Sequence, residues 1–208
     1  MNYRAWMLIL LCLPGWAAAS QCRLLIVGDS LSSGYGLAPG TGWVERLDAR
    51  LKQKAPEWRV VNASVSGDTT QNGLQRLEPA LKRQRPQGVV IELGGNDALR
   101  GTPPSMIRQN LVTMIRQARA SGAWVALLEA PVLPNYGKPY ANAVAKLYVD
   151  VAREEKIVRV PCFVCGVGVK AGLMQADGIH PNEKAQAQLL EAVWPHIQPK
   201  LMCPSPAR

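Results

Sequence analysis

Of the two histidines in this chain, His180 stands in Asp177-Gly178-Ile179-His180, three residues after an acid. Far upstream, the apolar run Leu24-Leu25-Ile26-Val27 empties into Gly28-Asp29-Ser30-Leu31. A serine is a weak nucleophile until a base lies within reach, and a histidine base works best when a carboxylate orients it. Ser30, His180 and Asp177 are therefore the parts of a nucleophile, base and acid, a set suited to attack on an ester or thioester carbonyl. Asp29 and Asp97 read as turn-shaping acids, and His196, beside Trp194-Pro195, reads as a residue of an amphipathic helix.

Such a serine needs a strand to hold it and a turn to expose it. Leu24-Leu25-Ile26-Val27 supplies the strand, and further apolar strands are expected at 58–62, 88–93, 123–128 and 157–160. Helical spacing of Val44, Leu47 and Leu51 predicts a helix over 43–54, and Leu74, Leu77 and Leu81 predict another over about 69–85, bent or interrupted at Pro79. Pro103-Pro104 opens a long helix ending at Ser121-Gly122, and helices are expected over about 139–155 and 182–198. Strands alternating with helices demand an α/β fold, a parallel sheet covered on both faces. Five strands wound this way give a flavodoxin-like three-layer sandwich, with a long loop from Pro161 to Gly178 delivering Asp177 and His180. Every chemical block then falls at the carboxyl ends of strands, where such sheets bind ligands. The G-x-S-x-G elbow is absent around Ser30, which removes the α/β-hydrolase fold as the explanation of that serine.

Gly28-Asp29-Ser30-Leu31, Gly67 in Ser66-Gly67-Asp68-Thr69, Gly94-Gly95-Asn96-Asp97, and Asp177 with His180 follow one another in the order of the four blocks of the GDSL or SGNH hydrolases. The chain resembles that family, and within it the bacterial multifunctional thioesterase, lysophospholipase and arylesterase subgroup. The resemblance implies the strand order 2-1-3-4-5. It also implies an oxyanion hole made of the Ser30 and Gly67 backbone N–H groups and the Asn96 side-chain amide, and hydrolysis of acyl thioesters and carboxylic esters, lysophospholipids included, without metal or organic cofactor. Leu133-Pro134-Asn135-Tyr136-Gly137 resembles the loop that covers the acyl chain in the subgroup, which makes Pro134, Asn135 and Tyr136 candidate substrate contacts. A carbohydrate acetylesterase of the same family is the alternative within hydrolases. A flavodoxin-like binding module is the alternative outside them, and it has no need of the Asp177 and His180 pair.

The 208 residues suit a single domain, and 48% hydrophobic content argues against disorder. Met1-Asn2-Tyr3-Arg4, the apolar stretch from Ala5 to Leu13 and Ala17-Ala18-Ala19 read as a secretory signal over residues 1–19, leaving residues 20–208 as an exported, periplasmic or secreted domain. A formal net charge of +9 favours anionic partners, among them the phosphates of a coenzyme A ester and an anionic lipid surface. Lys82-Arg83-Gln84-Arg85 ends a helix, where cations offset the helix dipole. No aromatic residues interleave with these bases, so a nucleic-acid groove has little support, and no obligate protein partner is indicated.

Cys22, Cys162, Cys165 and Cys203 remain after removal of the leader, an even set that suggests disulfides in an exported protein. Cys162-Phe163-Val164-Cys165 is also the spacing of a redox pair or half a zinc site, but it leads into Gly166-Val167-Gly168 and no second Cys/His pair completes a zinc site. In the expected layout Cys22 precedes the first strand, and Cys203 follows a helix antiparallel to the strands, so both lie on the edge opposite the chemistry. Cys162 and Cys165 follow the last strand, toward the catalytic rim. Pairing Cys22 with Cys203 and Cys162 with Cys165 is expected.

Overall fold

Leu24, Leu25, Ile26 and Val27 are all fully or almost fully buried, because the strand they form lies at the inside of a sheet with helices on both faces. In this computed structural model, which describes residues 21–131, 137–168 and 170–203, that strand is β1, Cys22–Gly28. It pairs in parallel with β2 (Trp58–Asn62) on one side and β3 (Gly88–Glu92) on the other. Beyond β3 lie β4 (Trp124–Leu128) and β5 (Val158–Val160), also parallel, so the sheet order is 2-1-3-4-5. The leader expected over residues 1–19 lies outside the described residues. Among the described residues no helix is long and apolar enough to cross a membrane.

Alternation along β1 divides the core in two. Leu25 and Val27 face the layer formed by α3 (Thr70–Gln84), α5 (Pro104–Ala120) and α6 (Lys138–Glu154), with Leu77, Leu111, Met114 and Tyr148 among their neighbours. Leu24 and Ile26 face α2 (Trp43–Lys54) and α8 (Gln186–Ile197), packing with Trp43, Leu47, Leu189 and Val193. Each such side chain contributes roughly 1.5 to 3 kcal/mol by leaving water.

Three short helices refine the expected layout. α1 (Ser30–Ser33) and α4 (Gly95–Leu99) are single turns at the ends of β1 and β3, and α7 (Cys165–Gly168) forms a turn within the segment expected to be loop. Pro79 does not interrupt α3. It lacks the N–H that would bond the Gln75 carbonyl, but both residues are on the solvent face, where water takes that carbonyl. The last helix is entered through a 3-10 turn at Glu183–Ala185, capped by the Asn182 side chain accepting from the Lys184 N–H.

Disulfides join Cys22 to Cys203 and Cys162 to Cys165, with Cα separations of 5.9 and 5.4 Å. The first lies at the amino ends of the strands. The second sits beyond β5, on the side of the sheet where the chemical blocks gather.

Candidate active site

β1 delivers Ser30 to the first position of α1, one residue past a buried Asp29 that caps the turn by accepting the Leu31 N–H at 3.0 Å. From 150 residues away in sequence, His180 Nε2 comes to 2.8 Å from Ser30 Oγ. The other ring nitrogen, Nδ1, lies 2.7 Å from Asp177 Oδ2. Asp177 Oδ1 also accepts the backbone N–H groups of Ile179 and His180 at 2.9 and 3.0 Å. These bonds, that from the His180 ring first, hold its pKa down to about 2. A carboxylate fixed in its ionised form accepts a hydrogen bond from Nδ1–H, which keeps the proton on that nitrogen and leaves Nε2 as the acceptor for the Ser30 hydroxyl.

Gln175 fixes the loop that carries this pair. Its backbone N–H donates to the His180 carbonyl at 2.7 Å, and its side-chain amide donates to the Tyr35 carbonyl at 2.9 Å. The Tyr35 ring packs on the imidazole with centroids 4.7 Å apart. Neither residue was singled out in the sequence, because each acts through contacts with a distant loop and has no local pattern.

The second and third blocks converge on the same point. Gly67 adopts φ +83° in the turn after β2, a conformation that L side chains rarely take, and Gly94 at φ +119° opens the turn after β3. A Cβ on Gly94 would stand 2.0 Å from the Tyr148 hydroxyl, which donates to the Leu93 carbonyl beneath. Asn96, in α4, donates through Nδ2 to Asp29 Oδ2 and to the Asp68 carbonyl, both at 3.0 Å. Asp97 ties the block to α3 by accepting from the Thr70 N–H and hydroxyl at 2.7 and 2.6 Å.

Asp29 thus does more than shape a turn: it holds the Asn96 amide. Burial pushes its pKa up to about 6. Beneath it, at the end of β3, Glu92 Oε2 accepts from the Ser32 hydroxyl at 2.7 Å, and Oε1 has no partner among the described residues. Burial first, and the charge of Asp29 second, hold the Glu92 carboxyl well above the ordinary range. Glu92 was visible in the sequence only as the one polar residue of an apolar strand.

Around Ser30, Asn96 and His180 opens a cavity of about 630 Å³, walled by Leu31, Tyr35, Leu99, Pro131, Val164, Met174 and Ile179. Few polar groups aimed into an apolar hollow are the pattern of a small-molecule site. Cys165 and Gly168 of α7 form part of one wall, so the Cys162–Cys165 bond staples the segment that bounds the cavity. Pro134, Asn135 and Tyr136, expected to contact substrate, lie outside the described residues. His196 lies in the last turn of α8, away from the cavity wall.

Residues 26–188 match the GDSL-like Lipase/Acylhydrolase family. The chain is 52% identical to Esterase TesA of Pseudomonas aeruginosa over 184 residues, covering 88% of this chain and 91% of that one. It is 39% identical to Thioesterase 1/protease 1/lysophospholipase L1 of Escherichia coli K12 over 191 residues, covering 92% and 90%. The crystal structure of TesA superposes with a TM-score of 0.83 at 51% identity, covering 86% of this chain and 99% of that one.

Proposed function

The chain belongs to the GDSL-like lipase/acylhydrolase family, and on that premise we propose that it is an exported esterase and thioesterase in which Ser30 is acylated by carboxylic esters and acyl thioesters. One observation carries this above the others: the hydrogen-bonded run from Asp177 through His180 to Ser30 stands at an apolar cavity able to take an acyl chain. The names of the relatives, esterase in one case and thioesterase and lysophospholipase in the other, support the substrate class.

Ser30 Oγ attacks the carbonyl carbon while His180 Nε2 takes its proton. The tetrahedral intermediate collapses as the imidazolium returns that proton to the departing alcohol or thiol, leaving acyl-Ser30. Water, deprotonated by the same nitrogen, attacks the acyl-serine, and the second tetrahedral intermediate breaks its bond to Ser30 Oγ as the imidazolium returns the proton to that oxygen, releasing the carboxylic acid and restoring the enzyme. The ionised Asp177 stabilises the imidazolium between these steps. The oxyanion is received by the N–H groups of Ser30 and Gly67 and by Asn96 Nδ2. Ser30 N–H belongs to the first turn of α1, where helical N–H groups lack intrahelical acceptors. Asn96 already serves two acceptors, so it exchanges the Asp68 carbonyl for the oxyanion while Asp29 keeps the amide in place. The apolar wall favours an acyl chain over the short polar acyl group of a sugar acetate.

Export is supported by the basic, apolar and A-x-A succession of residues 1–19 and by two disulfides, which persist in oxidising compartments.

A fluorophosphonate probe is expected to label the wild-type protein on Ser30 and to leave Ser30→Ala unlabelled. His180→Ala should lower kcat/KM for a soluble ester by roughly 10⁴-fold or more, whereas His196→Ala should leave it unchanged. Labelling that survives in Ser30→Ala would place the nucleophile elsewhere.

A further inference from the structure

Among the described residues, five of the seven exposed large hydrophobic side chains belong to the loops and first helical turns at the carboxyl ends of the strands: Tyr35, Val65, Leu99, Met106 and Ile179. Single apolar residues scattered over a surface need no explanation, but a gathering around one opening does. Tyr35, Leu99 and Ile179 line the cavity, and an acyl chain accounts for them. Val65, 45% exposed beside Ser66, and Met106, 50% exposed in the first turn of α5, do not line it. Substrate binding therefore leaves these two unexplained.

Arg100, Lys138, Lys170 and Lys184 are exposed in the same loops and first turns, and none of them is ion-paired among the described residues. The exposed acids there are Glu183 and Asp177, and the latter is engaged by His180. We infer that this rim docks on the surface of an anionic amphiphile aggregate, a bilayer or micelle, with Val65 and Met106 entering the boundary between head groups and chains and the cations meeting the head groups. Apolar tips within a basic skirt are suited to that boundary. Val65 adjoins the cavity-lining Ser66 and Met106 stands on a separate segment of the same rim, so a rigid partner covering both would obstruct the cavity. A fluid surface does not, and an amphiphile can pass into the cavity without its chain crossing water. What the docked protein does there rests on the esterase proposal, whereas docking itself does not.

Ser30→Ala protein, unable to consume lipid, is sedimented with phosphatidylcholine vesicles with and without phosphatidylglycerol. Binding should be at least about tenfold tighter with phosphatidylglycerol and should weaken as salt rises. In that background Val65→Asp and Met106→Asp should each reduce partitioning by about tenfold, while Met202→Asp, exposed beside Cys203 on the far edge, should not. With Ser30 restored, Val65→Asp and Met106→Asp should keep wild-type kcat and KM on a soluble monomeric ester, which shows that they fold, and turn over micellar substrate more slowly. Partitioning indifferent to both substitutions, or equally sensitive to Met202→Asp, overturns the docking surface. A fall in the molar mass of the lipid-free protein on substitution would also overturn it, by making the rim a contact between copies. If wild type cleaves no soluble ester while Ser30→Ala still binds vesicles, the esterase proposal fails and the docking stands.

Discussion

Glu155 at one end of the sheet, and Asp29 with Glu92 at the other, are buried carboxylates treated in opposite ways. Glu155, at the C-terminal end of α6 and level with the amino ends of the strands, receives the Arg116 guanidinium at 2.8 and 3.0 Å and has Arg119 3.6 Å away. Asp29 and Glu92, at the carboxyl ends, receive amides and a hydroxyl but no cation, and burial raises the pKa of each. A buried charge without a counter-ion destabilises the fold. The amino-end rim, with its neutralised acid and the Cys22–Cys203 bond, holds the structure together. The carboxyl-end rim keeps unfavourable groups because they place Ser30 and Asn96.

If the two rims are separable, a lesion in one should register in stability and a lesion in the other in turnover. The largest effect is expected from Cys22→Ser with Cys203→Ser. The bond closes a sequence separation of 181, for which chain entropy gives about 5 kcal/mol. Urea unfolding should show a loss of up to that size, while kcat and KM on a soluble ester, measured below the transition, stay near wild type. A large fall in kcat would mean that the rims communicate. Asn96→Ala should do the reverse, lowering kcat by roughly 10²- to 10³-fold, about 3 to 4 kcal/mol of barrier, with a smaller change in KM. A change confined to KM would make Asn96 a substrate contact.

Asp29→Asn should move both quantities, in opposite senses. With a folded pKa of about 6 against about 3.8 unfolded, the native state binds more protons between these values, so this group makes stability fall as pH rises from about 4 to 6. Asparagine removes that cost and still caps α1. The variant should be more stable than wild type by up to about 3 kcal/mol at neutral pH, with the advantage vanishing below about pH 4. One amide cannot serve both Leu31 and Asn96 as the carboxylate does, so kcat should drop by about tenfold. Thermal melts across that pH range, alongside kinetics, check both halves. A variant no more stable at neutral pH would show that Asp29 is not a strained group.

The sequence made some of this legible and hid the rest for physical reasons. Strands buried on both faces print unbroken apolar runs, so β1, β3 and β4 could be read directly, and their alternation with helices determined the parallel sheet. The four chemical blocks could be read because each is a short local pattern. The hold of Asp29 on Asn96 could not, because it spans 67 residues and leaves no periodic trace. α1, α4 and α7 are too short to establish a helical period. Pro79 misled because a proline breaks a helix only where its missing bond cannot be given to water, and which face it occupies is a tertiary matter.

Because sulfur links Cys22 to Cys203, everything between them is a covalent ring. A protease that cuts one of the loops after a strand opens the ring without releasing a fragment, and the two pieces stay joined until a thiol reagent separates them. Singly clipped protein should therefore run as one band on a non-reducing gel and as two after reduction, with both halves of the sheet still tethered. Such a chain outlasts its first cut.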